Sequence, residues 1–135
     1  MLIDKEKPFY NVTQVSELLG ISADRLRTYD EEKLVVPTRV GKGDKRLYSE
    51  LDIEWLQDVR AVISKNRMNI YSFKLILTVL NQISDKTFKK LVKNKPNDDI
   101  WEIFERMRKN PNYNKLNYDY ELYFIIIYCT INYVL

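Results

Sequence analysis

Histidine is absent from this 135-residue chain, cysteine occurs once, at Cys129, and glycine only three times. Without an imidazole and with a single thiol, the chain cannot build a zinc finger, a histidine general base or an intrachain disulfide. No nucleophile and base pair, metal cluster or phosphate loop is legible, so neither an enzyme nor a bound cofactor or metal is expected. A membrane span needs about 20 apolar residues. The longest apolar run, from Leu122, falls short of that and is interrupted by Asn132. Met1 to Pro8 is charged and lacks an apolar core segment, so a cytoplasmic location is expected, consistent with the lack of cystine. The excess of positive charge is small, +3 with a pI near 8.9. Any nucleic-acid partner must therefore be argued from where the charges sit rather than from their sum. The length suits one domain with an appendage and is too short for two full domains.

The informative stretch is Val12 to Ser49. Thr13 is a candidate cap for a helix with Val15, Leu18 and Leu19 inward, and Gly20 lets the chain leave it through a left-handed residue. Ser22 is a second N-cap. It opens a helix from Ala23 to about Glu32 that carries Arg25, Arg27 and Thr28 beside the inward-facing Leu26 and Tyr29. Two short helices joined by a tight turn, the second bearing basic and hydroxyl groups near its start, form the arrangement that docks a helix in a major groove.

Pro37 stops any further helix. Thr38 to Val40 and Arg46 to Tyr48 then flank the tip Gly41-Lys42-Gly43-Asp44-Lys45, which predicts a β-hairpin. Arg39, Lys42, Lys45 and Arg46 stand on it as a wing would, placed to reach backbone phosphates. The alternative for Arg39 and Arg46 is a brace within the hairpin. For Arg25 it is a salt bridge to Glu17 or Asp24, and for Tyr48 packing on the third helix.

Leu26-Arg27-Thr28-Tyr29-Asp30, Leu34 with Pro37-Thr38-Arg39, and Arg46-Leu47-Tyr48-Ser49 with Asp52-Ile53 resemble, in order and spacing, the DNA-binding domain of MerR-family transcription regulators. The resemblance covers roughly Phe9 to Leu80 and is nearest the short heat-shock and nitrogen-control repressors, of HspR and GlnR type, which have little or no effector domain. It implies a mainly α fold: a winged helix-turn-helix with a small β-hairpin wing and additional C-terminal helices. It also implies a homodimer that bends or untwists double-stranded DNA at a promoter. The shortage of cysteine excludes the metal sensing known among MerR relatives. This chain departs from the family pattern at Thr28, where an aromatic is usual, and at Asp30, where Glu is usual. It also lacks glycine at Lys33 and across Asn66 to Met68, two places where relatives turn on one.

Phe9 and Tyr10 are expected to form a short extended piece covering the core. Ser49 and Asp52 resemble a capping box for a third helix carrying Leu51, Ile53, Trp55, Leu56, Val59, Val62 and Ile63. Asn69 is the expected cap of a fourth helix, and Arg67, at the junction, either touches phosphate beside the wing or faces solvent. Asp85 to Lys95 reads as a short lysine-rich amphipathic helix ended before Pro96, and Asn97 or Asp98 caps a further one that stops at Asn110-Pro111. Tyr113 to Leu135 is apolar and rich in aromatic and β-branched residues that favour a strand. Its readings are a helix pairing across the dimer, a segment docked on the domain, a site for a partner such as a chaperone, or an unselected tail.

Two units are expected: residues 1–82, the DNA-binding domain, and 83–135, a segment for dimerisation or partner contact. The expected function is a sequence-specific, double-stranded DNA-binding transcriptional regulator, a repressor or activator, with RNA polymerase as a further partner and the bacterial nucleoid as its place when bound. The expected DNA contacts are Arg25, Arg27, Thr28, Tyr29, Arg39, Lys42, Lys45, Arg46, Tyr48 and Arg67. An excisionase-like recombination directionality factor and a winged-helix protein-interaction module are the alternatives.

Overall fold

The computed structural model describes residues 4–94 and 99–116, together with 128, 129 and 132. Among the described residues ten elements succeed one another: β1 Tyr10–Asn11, α1 Val12–Leu19, α2 Ala23–Glu31, β2 Thr38–Val40, β3 Lys45–Tyr48, α3 Glu50–Lys65, α4 Ile70–Asn81, α5 Asp85–Lys93, α6 Ile100–Lys109 and α7 Pro111–Lys115. The fold is mainly helical with one small antiparallel sheet, as the winged-helix pattern predicts. The strand order is β1-β3-β2, and the register sets Tyr10 opposite Tyr48, Thr38 opposite Leu47, and Arg39 opposite Arg46.

Helix starts obey the caps. Ser22, Ser49 and Asn69 accept from the backbone N–H groups of Arg25, Asp52 and Ser72, and Ser49 with Asp52 completes a reciprocal capping box. α1 corrects one expectation. Its cap is Asn11, which accepts from the Gln14 backbone while the Gln14 side chain accepts from Asn11, so Thr13 lies inside the helix. Asn97 and Asp98, the expected caps of α6, lie outside the described residues, as does most of the apolar segment from Tyr113 to Leu135.

α3 is the central element, packed against α1, α4, α6 and α7. Trp55, Leu56, Val59 and Val62 are wholly buried along it, and the Trp55 indole N–H donates to the Leu34 carbonyl at 2.7 Å. That bond ties the loop between α2 and the wing to the middle of the core. One continuous apolar cluster runs from Val15 in α1 through Leu26, Leu34, Phe73 and Leu77 to Ile103, Phe104, Met107, Tyr113 and Leu116. Leu18 and Phe9 correct two further expectations. Leu18 points outward and Phe9 is exposed, stacked edge-on against Tyr10 with ring centroids 5.3 Å apart. Among the described residues, no helix is long and apolar enough to cross a membrane.

Candidate nucleic-acid interface

The interface is built from α2 and the β2–β3 hairpin. α1 leaves through Gly20 at φ +66°, and Ser16 Oγ donates to the Ile21 carbonyl at 2.5 Å, which fixes the turn into α2. Arg60 of α3 donates to the Leu19 carbonyl, satisfying an orphan acceptor at the end of α1.

On α2, Leu26 and Tyr29 face the core and the intervening positions face out. Arg27 is exposed and pairs with Asp24 one turn back at 2.8 Å. Arg25 does not form the salt bridge to Glu17 or Asp24 that is the alternative for it. Its Nε donates to the Tyr29 hydroxyl at 3.1 Å and its guanidinium lies 5.7 Å from that ring's centroid. Thr28 Oγ1 donates to the Asp24 carbonyl at 3.0 Å. Its one hydrogen is thereby engaged, leaving it an acceptor toward any outside group.

Two of the expected DNA contacts are contradicted by burial. Tyr29 and Tyr48 are both 0% exposed. Tyr29 shares the inward face of α2 with Leu26, three residues before it, and its hydroxyl accepts from Arg25. The other, Tyr48, ends β3 beneath the helical layer, where its hydroxyl has no hydrogen-bond partner among the described residues. Burial, with the nearby Asp30 carboxylate, pushes that phenol up to about 12.

The hairpin supplies the remaining cations. Lys42 and Lys45 are exposed at its tip and edge. Arg39 and Arg46 meet across the strands, where like charges directly opposite repel. The repulsion is answered from α2: Asp30 Oδ2 accepts from Arg39 Nη2 at 2.6 Å and from Arg46 Nε at 2.5 Å. Asp30 hydrogen bonding holds the Arg46 guanidinium above its ordinary range, against the opposing effect of burial. The two arginines thus brace the hairpin against α2 as well as within itself. Arg67 stands apart, exposed in the turn between α3 and α4 with φ +51°.

This bridge joins the two halves of the interface. Asp30 lies one turn along α2 from Arg27, so the carboxylate that grips the wing shares a helical face with the exposed Arg27. In the sequence Asp30 stands out only as a departure from the family pattern. The signal that could have found it is the hairpin register: two arginines set opposite one another need a counter-charge.

Comparison with known proteins finds relatives of this sequence. The family described as MerR HTH family regulatory protein matches residues 10–78. A protein described as heat shock protein HspR from Streptomyces coelicolor is 31% identical over 83 residues, 62% of this chain and 54% of its own length. The HTH-type transcriptional regulator TnrA from Bacillus subtilis is 40% identical over 55 residues, 41% of this chain and 49% of its own. The chain therefore spans about half the length of these curated relatives. A solved structure, described as HiNmlR, a MerR family regulator lacking the sensor domain, bound to promoter DNA, aligns with a TM-score of 0.49 and 25% identity over 75% of this chain and 68% of that one. The residues matched by the family include both helices of the turn, the whole hairpin and most of α4, and on that extent the chain belongs to the MerR helix-turn-helix family of regulatory proteins.

Proposed function

We propose that this chain is a DNA-binding transcription regulator that inserts α2 in the major groove of double-stranded DNA and lays the β2–β3 wing along the flanking phosphates. The observation that carries this reading is the Asp30 bridge, which sets the cationic wing beside the outward face of α2. Arg25, Arg27 and Thr28 are the groove-facing groups. Arg39, Lys42, Lys45 and Arg46 grip phosphate, with Arg67 as a flanking cation. Residues 1–82 carry this function. Residues 83–135 contribute the contact for a homodimer, whose two copies of α2 would read two half-sites.

Selection of bound sequences from random duplex, run at two salt concentrations, tests the reading. A defined motif is expected, with affinity falling steeply as salt rises. Arg27→Ala should relax the selected motif, costing about 1–3 kcal/mol at the position it reads. Lys45→Ala should weaken binding to every duplex alike and reduce the salt slope by about one unit. Equal behaviour of the two variants would contradict the division of labour, and absence of any salt-dependent binding would reject DNA as the partner.

A further inference from the structure

Resting on the DNA-binding reading, we propose that Asp30 is a positioning residue: a part-buried acid, on a surface that must meet a polyanion, that holds Arg39 and Arg46 as a preformed phosphate grip. Asp44 at the wing tip is then a placeholder for the phosphate itself. Long-range electrostatics gives every carboxylate on a DNA-facing surface the same sign of effect, which is to weaken binding. Geometry separates these two.

Asp30 is only 12% exposed at its side chain and binds through a single oxygen at 2.5 and 2.6 Å, whereas Asp44 is 73% exposed and meets Arg39 loosely, with its Oδ2 3.4 Å from Nη1. The Asp44 carbonyl is 3.3 Å from the same Nη1. Asp44 sits at φ +51° in the loop closing the hairpin. Arg39 therefore has one terminal nitrogen anchored inward on α2 and the other turned toward the tip, on an acceptor that a phosphate oxygen can replace. Arg46 spends only Nε on Asp30, which leaves both its terminal nitrogens without a partner among the described residues. A guanidinium fixed at one edge and open at the other is pre-organised to bind phosphate, because its ordering has been met in folding. Without Asp30 the opposed arginines repel and swing apart.

The test measures binding of a fluorescein-labelled duplex of random sequence by anisotropy across a salt series. Asp44→Asn should tighten binding severalfold and keep the salt slope. Asp30→Asn, removing the same charge, should weaken binding about tenfold and lower the slope by about one to two units, the share of two phosphate contacts. Asp30→Glu should restore the wild-type slope, which a loss of general stability would not do.

Should Asp30→Asn fail to fold, the Arg39→Gln background decides: Asp44→Asn should tighten binding clearly less there than in the wild type, since only the general charge effect remains once Arg39 is gone. Two results overturn the proposal. One is Asp30→Asn binding as tightly as Asp44→Asn with an unchanged slope; the other is Asp44→Asn tightening equally with or without Arg39. If the wild-type chain shows no salt-dependent binding to the duplex, the DNA reading fails and takes this inference with it.

Discussion

Tyr48 illustrates how a single residue can look functional in sequence and be structural in fact. Alternation along β3 puts Arg46 and Tyr48 on the same face, so strand pattern alone sends both toward the same neighbour. α1 packs on β3, whose Tyr48 end is buried while the Arg46 end stays partly open. The fold therefore carries a phenol in the core that donates to nothing among the described residues. Removing an unpartnered buried hydroxyl relieves its desolvation, so Tyr48→Phe should raise stability at neutral pH by about 1 kcal/mol. The raised pKa of Tyr48 gives this contribution a pH dependence of definite sign. Its neutral form is favoured in the folded chain, so the stabilisation is complete below pH 10 and is lost as pH rises toward about 12. By pH 11 the loss should be roughly 1.4 kcal/mol, and Tyr48→Phe should abolish that dependence. Urea denaturation midpoints at pH 8 and pH 11 check both statements; a wild-type and a variant falling in parallel would contradict them. Tyr29 is the easier residue to place. Its spacing from Leu26 already puts it inward, and only its neighbours in the family pattern suggest a DNA role.

At the level of elements, the ends of the helices distinguish this chain more than their middles. α1, α2 and α3 finish in the same way: a left-handed residue whose N–H returns to the carbonyl three back, then one whose N–H returns to the carbonyl five back. The pairs are Gly20 with Ile21, Lys33 with Leu34, and Arg67 with Met68, bonding to Glu17 and Ser16, Asp30 and Tyr29, Ser64 and Ile63. Only the first uses glycine. Lys33 at φ +61° and Arg67 at φ +51° hold a conformation that costs a side-chain-bearing residue about 1 kcal/mol or more. Lys33→Gly and Arg67→Gly should each stabilise the chain by roughly 0.5–1 kcal/mol, part of the gain being offset by the freer unfolded backbone. Thermal melts check this, with Lys33→Ala as the control that should give no gain. The missing glycines are visible in the sequence; that Lys33 and Arg67 themselves take the left-handed conformation is read from the structure.

α4 ends differently, and here the sequence is silent. Arg108, which by position complements the α6 dipole, instead reaches across to the Leu80 and Ile83 carbonyls at 2.9 and 3.1 Å, pairs with Asp85, and stacks 4.6 Å from the Phe88 ring centroid. A side chain 28 residues away from the carbonyl it caps leaves no local pattern to read. Arg108→Ala should cost about 2–3 kcal/mol, and Arg108→Lys should recover little, because an ammonium cannot span these acceptors and stack at once. Denaturant unfolding of both variants distinguishes this from a simple loss of charge.

On the scale of the whole chain, the question is whether residues 1–82 stand without α5, α6 and α7. The sequence suggests an appendage beginning near residue 83, because the family likeness fades there and Pro96 interrupts the helical pattern. In the structure α6 and α7 lie along α3 and complete its polar accounting. Arg106 binds the buried Asp58 carboxylate through three contacts of 2.6 to 3.2 Å, Asn112 donates to Asp52 at 2.8 Å, and Asn110 donates to the Leu51 carbonyl at 3.1 Å. Ile103, Phe104 and Met107 join the same apolar cluster as Leu56 and Val59. Cutting the chain after residue 82 would therefore strip apolar cover from α3 and leave Asp58 without the cation that accompanies its burial. Asp58 is buried but the Arg106 side chain is 63% exposed, so losing this pair should cost less than the roughly 3–5 kcal/mol of a fully buried one, and the lost apolar cover of α3 adds to it. A fragment of residues 1–82 should accordingly show a broad, low thermal transition by circular dichroism, where the full chain shows a cooperative one. A fragment melting as sharply and as high as the full chain would mean that α5 to α7 merely dock on a self-sufficient winged helix. In that case their contribution would have to be sought in assembly rather than in folding.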